Sequence, residues 1–286
     1  MMITDLAKRA GLAPAPGGIV TRRNFMSGTA SVAGRVAAGG LFSSPVLAAS
    51  PPTDYDLRAA PDYITSVKDQ DSPITCNACT AFAVVATVEG AYNKKNNSSG
   101  SLGPDLDEMD LFNNAGTSGG CSTSHWWPKL ALDYCQTQGL KWQNLPNPRI
   151  KTTPVNLLDA NDDVNQTQKN MKNHIFNNGP VIAVMVQYDD FYIFGDYWFQ
   201  QNNNMPNPNV YSPGTYAPGK HRLPGPIVGG HVVSIVGYNG NDNWICKNSW
   251  GKNWNGDGYF LVAQGKPNGI AETYIDRIDV WGVSIV

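Results

Sequence analysis

The sequence predicts an α+β fold built as two lobes, and three observations lead to it. Runs that read as helices fill the chain between about residues 75 and 160. From about residue 165 to 286 the apolar runs become short and β-like, separated by Gly, Asn and Asp. With 286 residues, 41% hydrophobic and 15% charged, the chain can bury one large core or two, and no internal repeat divides it otherwise.

Residues 1–48 read as an address. The segment "TRRNFM", 21–26, places Arg22 and Arg23 before a weakly apolar stretch from Ser27 to Leu47, and "VLA", 46–48, ends it in a small residue. That is the pattern of a twin-arginine export signal. Arg35 inside the stretch speaks against a membrane span, and no other segment reaches the roughly 20 apolar residues a span needs. The expectation is an exported bacterial protein, periplasmic or extracellular, without stable membrane insertion, in a compartment that permits disulfides.

The following residues, up to about 75, read as extended chain and turns. The segment "CTAFAVVATVEGAY", 79–92, lacks Pro and is apolar on nearly every side, which predicts a central buried helix. A polar loop, 93–103, precedes two further helices in "LDEMDLF" and "HWWPKLALDYCQTQGL". The β half runs through "GPVIAVMVQ", "HVVSIVGY", "NWICKNSW" and "GYFLVAQG". Residues 201–228 hold six prolines and no periodicity, and so read as a long insertion loop. It is a candidate lid, with Met205, Tyr211 and Tyr216 available to fill a pocket. The formal net charge is −2. Residues 1–50 hold five basic residues and one acid, leaving 16 basic against 22 acidic in the remainder. Without a basic block, that balance excludes a nucleic-acid-binding reading.

Five cysteines are present, an odd count that leaves at least one thiol unpaired within the chain. The pair in "CNACTAF", 76–82, admits three readings. A redox dithiol needs a preceding strand in a βαβ unit, and none is there. A zinc site could draw on Cys76, Cys79, Cys121 and His125, giving a metal-stabilised binding protein. Alternatively, Cys79 is a nucleophile at the first turn of a helix, where unpaired N–H groups favour a thiolate. A nucleophile needs a base, and the base an orienter. Of the four histidines, His125 and His221 lie in loops, and His174 reads as a surface residue of a polar helix. His231 opens an alternating strand beside Gly229 and Gly230, from where it can reach a cleft. Asn248 follows 17 residues later. A hairpin can set its amide oxygen against the imidazole, with Trp250 shielding that bond.

Taken in order, "CNACTAF", "HVVSIVGYN" and "ICKNSWGKNWNGDGYF" resemble the signature blocks of the papain-family cysteine peptidases. The similarity runs through about residues 52 to 286, with "DYDLR", "VKDQ" and "NGPVIAVMV" also in family order. The resemblance implies a papain-like two-lobed fold over residues 49–286, with the active-site cleft between a helical and a β-rich lobe. It implies a thiol-dependent endopeptidase acting as a monomer on peptide or protein substrates, with no cofactor and no metal. Cys79 matches the nucleophile, His231 the base and acid, Asn248 the orienter and Gln70 the oxyanion donor. Cys76 and Cys121 match a disulfide. Thr123, Ser124 and His125 match a substrate-binding rim, and Val184 and Gly230 match positions flanking a substrate pocket.

The chain departs from the family pattern in places. Gln70 precedes Cys79 by nine residues, about three more than usual, and Thr80 replaces an aromatic residue. The family's glycine pair reads Thr123 and Ser124, and Asn114 stands where a second half-cystine is expected. Cys135 and Cys246 are expected as buried thiols or a private bridge. The similarity begins directly after the export signal, which implies no long pro-segment. A peptide ligase or transpeptidase, or a cell-wall peptide hydrolase, would use the same three groups.

Overall fold

A computed structural model describes residues 50–59, 61–72, 75–116, 120–123, 126–143, 145, 148–201, 210–213, 215–217, 220–221, 225–265 and 272–286. Before residue 50 it describes only the backbone of two paired strands, Leu12–Pro14 and Val20–Arg22. The export-signal reading of residues 1–48 otherwise lies outside the described residues.

Helix α1 (Cys79–Asn96) is buried around most of its circumference, as its sequence requires. Its small and branched residues allow close neighbours on several sides. At Gly90 an added Cβ would stand 2.6 Å from the Pro180 ring, so only glycine fits. Asn97 ends the helix in the left-handed conformation at φ 50°, and Lys94 and Lys95 complement the helix dipole in the last turn. Helix α2 (Glu108–Ala115) is capped by Asp107, whose side chain accepts from the Asp110 N–H. A short turn, α3 (Gly120–Thr123), leads to α4 (Pro128–Thr137), which begins on proline, where a missing N–H costs nothing. Helices α5 (Val164–Asn177) and α6 (Asp190–Gln201) follow among the strands.

Eight strands form one sheet. They are β1 (Tyr55–Asp56), β2 (Thr152–Asn156), β3 (Val181–Tyr188), β4 (Val210–Tyr211), β5 (Ile227–Asn239), β6 (Asn243–Lys247), β7 (Tyr259–Ala263) and β8 (Val280–Ile285). The order is β2-β8-β3-β5-β6-β7-β4, with β1 added to the far end of β5. All neighbours are antiparallel except β7 and β4. Strand β3 is buried on both faces and divides two cores by its period of two. Ile182, Val184 and Val186 join α1 and α4 in one core, while Val181, Ala183 and Met185 join the β-rich core around Trp244 and Phe260. The two-lobed α+β expectation is borne out.

Several elements were not legible in advance. Strand β2 lies within the stretch read as mainly helical, and β8 and α6 had no local signal strong enough to place them. Within residues 201–228 the described parts include β4 and a small ribbon, Thr215–Ala217 with Lys220–His221. Tyr211, expected as a cleft filler, is instead buried against Phe191 and Phe194, and its hydroxyl donates to Asp190 Oδ1 at 2.8 Å. Met205 lies outside the described residues. His174, expected at the surface, is also buried. Its ring presses on the backbone of Gly282, where a Cβ would come within 2.3 Å. The polar residues of α5 hid the fact that this turn faces the sheet. No helix among the described residues is long and apolar enough to cross a membrane.

Candidate active site

Cys79 is the first residue of α1, and Ala78 before it offers no side-chain cap. The first-turn N–H groups are therefore not covered by a capping oxygen, which favours negative charge there. The approach to this turn is pinned on both sides. A disulfide joins Cys76 to Cys121, and the Asn77 N–H donates to the Cys121 carbonyl at 2.9 Å. Closing a 45-residue separation is worth about 3–4 kcal/mol in the chain-entropy model. The bond bears out the expected pairing. It also overturns the zinc reading, because Cys76 and Cys121 are oxidised to each other. Cys135 and Cys246 are buried free thiols. Thr80, in place of an aromatic residue, donates to the Trp126 carbonyl at 2.8 Å.

Strand β5 carries His231 and pairs with β6 in a hairpin, Ser234 opposite Lys247. That register sets Asn248, just past β6, beside the imidazole. His231 Nε2 and Asn248 Oδ1 are 2.8 Å apart, and both residues are buried. Asn248 Oδ1 also accepts from the Ser249 N–H, so the oxygen is the acceptor and Nε2 carries the proton. The basic nitrogen of the neutral ring is then Nδ1. Trp250 packs on the imidazole with centroids 4.9 Å apart, and Phe191 and Trp254 back the indole.

Cys79 and His231 line one cavity of about 190 Å³, together with Gln70, Gln187, Tyr192, Val228, Gly229, Gly230 and Trp250. Gln70 reaches this cavity despite its longer spacing. The Gln70 N–H donates to the Ser249 carbonyl and its Oε1 accepts from Ser249 Oγ at 2.6 Å. Gln70 Nε2 donates to the Cys76 carbonyl at 2.8 Å, which uses one of its two hydrogens. Among the rim residues, Gly230 lines the cavity, Thr123 ends α3, and Ser124 and His125 lie outside the described residues. Val184 is a correction. Its alternate position on β3 turns it wholly into the core under α1, so it does not line the cleft.

Burial pushes the Cys79 thiol up, opposed by hydrogen bonds from Val232 and Thr80. Burial likewise pushes His231 down to about 4, with Asn248 opposing. Burial thus favours the neutral thiol and the neutral imidazole in the resting site. Beneath Asn248 lies a charged network. Lys68 Nζ meets Glu89, Asp105 and Glu108 at 3.1, 2.7 and 2.6 Å, and Lys247 Nζ donates to the Thr65 carbonyl at 2.8 Å. Burial lowers Lys68, but the Glu89 and Glu108 carboxylates outweigh it and hold its ammonium above the usual range. Burial raises Glu108 to about 7, with Lys68 opposing, and lowers Lys247 to about 8, with Glu89 opposing. No sequence motif marked this network.

The profile of the papain family cysteine protease matches residues 51–277. The chain belongs to this family. A cathepsin L-like proteinase of Fasciola hepatica is 27% identical over 247 residues, covering 79% of this chain and 67% of the relative. Cathepsin K of Mus musculus is 26% identical over 233 residues, covering 76% of this chain and 61% of the relative. The chain thus spans about two thirds of the length of such relatives or slightly less. Among solved structures, procathepsin B S9 from Trypanosoma congolense superposes with a TM-score of 0.59 at 18% identity, over 86% of this chain and 82% of that one. The bromelain protease from Ananas comosus gives 0.55 at 22% identity, over 82% and 100%. These likenesses support the papain-like fold, and the family makes the chain a cysteine protease and a hydrolase.

Acid should weaken this papain-family fold through its buried histidines. Burial lowers both His174 and His231 to about 4, below the ordinary 6.5 of an unfolded chain. Between those values the unfolded chain binds more protons, so stability is full above about pH 6.5 and is lost as pH falls towards 4. Each ring contributes about 3 kcal/mol. Glu108, raised by burial, acts oppositely and offsets about one histidine. Urea titrations at pH 7 and pH 4.5 should show this loss, and His174→Gln should shrink it. Ring NMR should find neither imidazole charged above about pH 5. A ring that titrates near 6.5 would contradict the assignment.

Proposed function

We propose that this papain-family protease cleaves peptide bonds through a Cys79 thioester, and the observation that carries the reading is that His231, held by a 2.8 Å hydrogen bond to buried Asn248, lines the same cavity as Cys79. Cys79 Sγ gives its proton to His231 Nδ1 and attacks the scissile carbonyl carbon. The oxyanion accepts from the Cys79 backbone N–H and the second Nε2 hydrogen of Gln70. As the C–N bond breaks, His231 returns the proton to the departing amine. His231 Nδ1 then takes a proton from water, whose hydroxide attacks the thioester, and the released thiolate is reprotonated. Asn248 holds the ring so that Nδ1 faces the sulfur, and Trp250 keeps water from that bond. The chemistry uses only protein groups and needs no metal or organic cofactor.

The test is turnover of a peptide library with and without a competing amine. Hydrolysis that coincides with alkylation of one thiol per chain supports the proposal. Products formed only with the amine would favour a ligase. Activity that survives complete alkylation would overturn the thiol mechanism.

Residues 49–286 form the catalytic unit in this reading, and residues 1–48 export it. Arg22, Arg23 and the apolar stretch after them support export, as does a disulfide that needs an oxidising compartment. A monomer is sufficient, since one chain carries every group used. The acidic balance after residue 50 leaves nucleic acid outside its partners. Replacing Arg22 and Arg23 with lysine should leave the precursor in the cytoplasm on fractionation. Unchanged export would mean that the segment is not a twin-arginine signal.

A further inference from the structure

One buried group at the cavity has no part in that chemistry. Gln187 lies on β3 with 6% of its surface exposed, and its Nε2 has no hydrogen-bond partner among the described residues. An unpaired buried amide donor is costly unless something polar reaches it. Its neighbour across the sheet is Gly229, where an added Cβ would meet nothing within 4 Å, so the floor beside the amide is open. Tyr192 forms the next wall. It is 52% exposed and stacks on Trp250 with centroids 5.4 Å apart and planes 10° apart. A large exposed ring held flat by an indole offers its outer face to a second ring.

The side of the cleft follows from His231. The base returns its proton to the departing amine, so the segment carrying that amine lies over the residues packed round the imidazole. Trp250 touches the imidazole, and Tyr192 stacks on Trp250. We infer that Tyr192 and Gln187 form a specificity slot for the leaving segment. Tyr192 selects an aromatic side chain on the residue directly after the cut bond, and Gln187 Nε2 donates to a backbone carbonyl of the same segment. This inference rests on the proposed peptidase reading for which side is the leaving side, while the slot itself can be read by binding alone.

The test uses two peptides that are identical except for Phe or Gly directly after the cut bond. In the wild-type protein kcat/KM should be about tenfold higher for Phe. Tyr192→Ala should bring the ratio near one, and Tyr192→Phe should restore it. Gln187→Leu keeps the bulk, removes the donor, and should raise KM for both peptides by a similar factor. A wild-type ratio near one, or a ratio unchanged in Tyr192→Ala, would overturn the slot. The same ratio is measured as binding of both peptides to the Cys79→Ala protein. If no peptide is cleaved but Phe is still bound more tightly in a Tyr192-dependent way, the slot stands and the peptidase reading fails. If peptides are cleaved and bound without that preference, the peptidase reading stands and the slot fails.

Discussion

Cys79→Ala is expected to reduce peptide hydrolysis by at least about 10,000-fold and to leave the fold intact. The size follows from the role. Without Sγ no thioester forms, and what remains is oxyanion stabilisation and substrate binding. The fold survives because the change removes one half-buried sulfur at the start of α1, while the disulfide and the Asn77–Cys121 hydrogen bond still pin that turn. Asn248→Ala should cost less, on the order of 100-fold. His231 still carries a basic nitrogen in that variant, but its Nε2 loses its acceptor and the ring loses its bearing. Steady-state kinetics on one peptide, with near-UV circular dichroism as the check on packing, decides both. Full activity in Cys79→Ala would end the thiol mechanism. A loss for Asn248→Ala as large as that for Cys79→Ala would mean that Asn248 does more than orient the ring.

Glu89→Gln should destabilise the folded protein by about 3–5 kcal/mol, the usual cost of removing one partner from a buried ion network. Glu89 is 1% exposed. One carboxylate oxygen meets Lys68 Nζ at 3.1 Å and the Leu106 N–H at 2.8 Å, and the other accepts from Thr65 Oγ1. Lys247, buried below Asn248, also leans on this carboxylate, since Glu89 opposes the fall in its pKa. The glutamine keeps the shape and the Leu106 bond but removes the charge. Lys68 then keeps only Asp105 and Glu108, and Lys247 moves further towards the neutral amine. Urea denaturation should show a lower midpoint with an unchanged slope. A change below about 1 kcal/mol would show that the remaining carboxylates carry the two lysines alone. The network also bears on the site. Lys68 lies two residues before Gln70, Glu89 ten after Cys79, and Lys247 directly before Asn248. One buried cluster therefore ties together the three segments that carry the proposed chemistry.

Much of this was legible in the residues. The stretch from Cys79 to Tyr92 could only be a buried helix, because it has no Pro and no polar face, and the structure extends it to Asn96. The hairpin that sets Asn248 against His231 was readable from two β-like runs joined by a short polar turn. Period and turn chemistry are local properties, so the sequence alone carried them. The disulfide and the site roles entered through the family likeness, which rests on order and spacing along the chain.

The tertiary structure decided what depends on residues far apart in sequence. Val184 and Met185 are neighbours on one strand, yet they serve different cores, and which face meets the cleft is set by the partners of β3 rather than by β3 itself. His174 sits in a polar helix but turns to the sheet, because Gly282 leaves room for its ring. Strand β2 is Thr- and Pro-containing and becomes a strand only by pairing with β8, about 130 residues later by the chain numbering. Lys68, Glu89, Glu108 and Lys247 are unremarkable singly, and only packing removes them from water and makes each depend on the others. Gln187 gains its meaning in the same way, as an amide that lies beside Gly229 in the cavity, without a partner for its Nε2 among the described residues, only once β3 and β5 have paired.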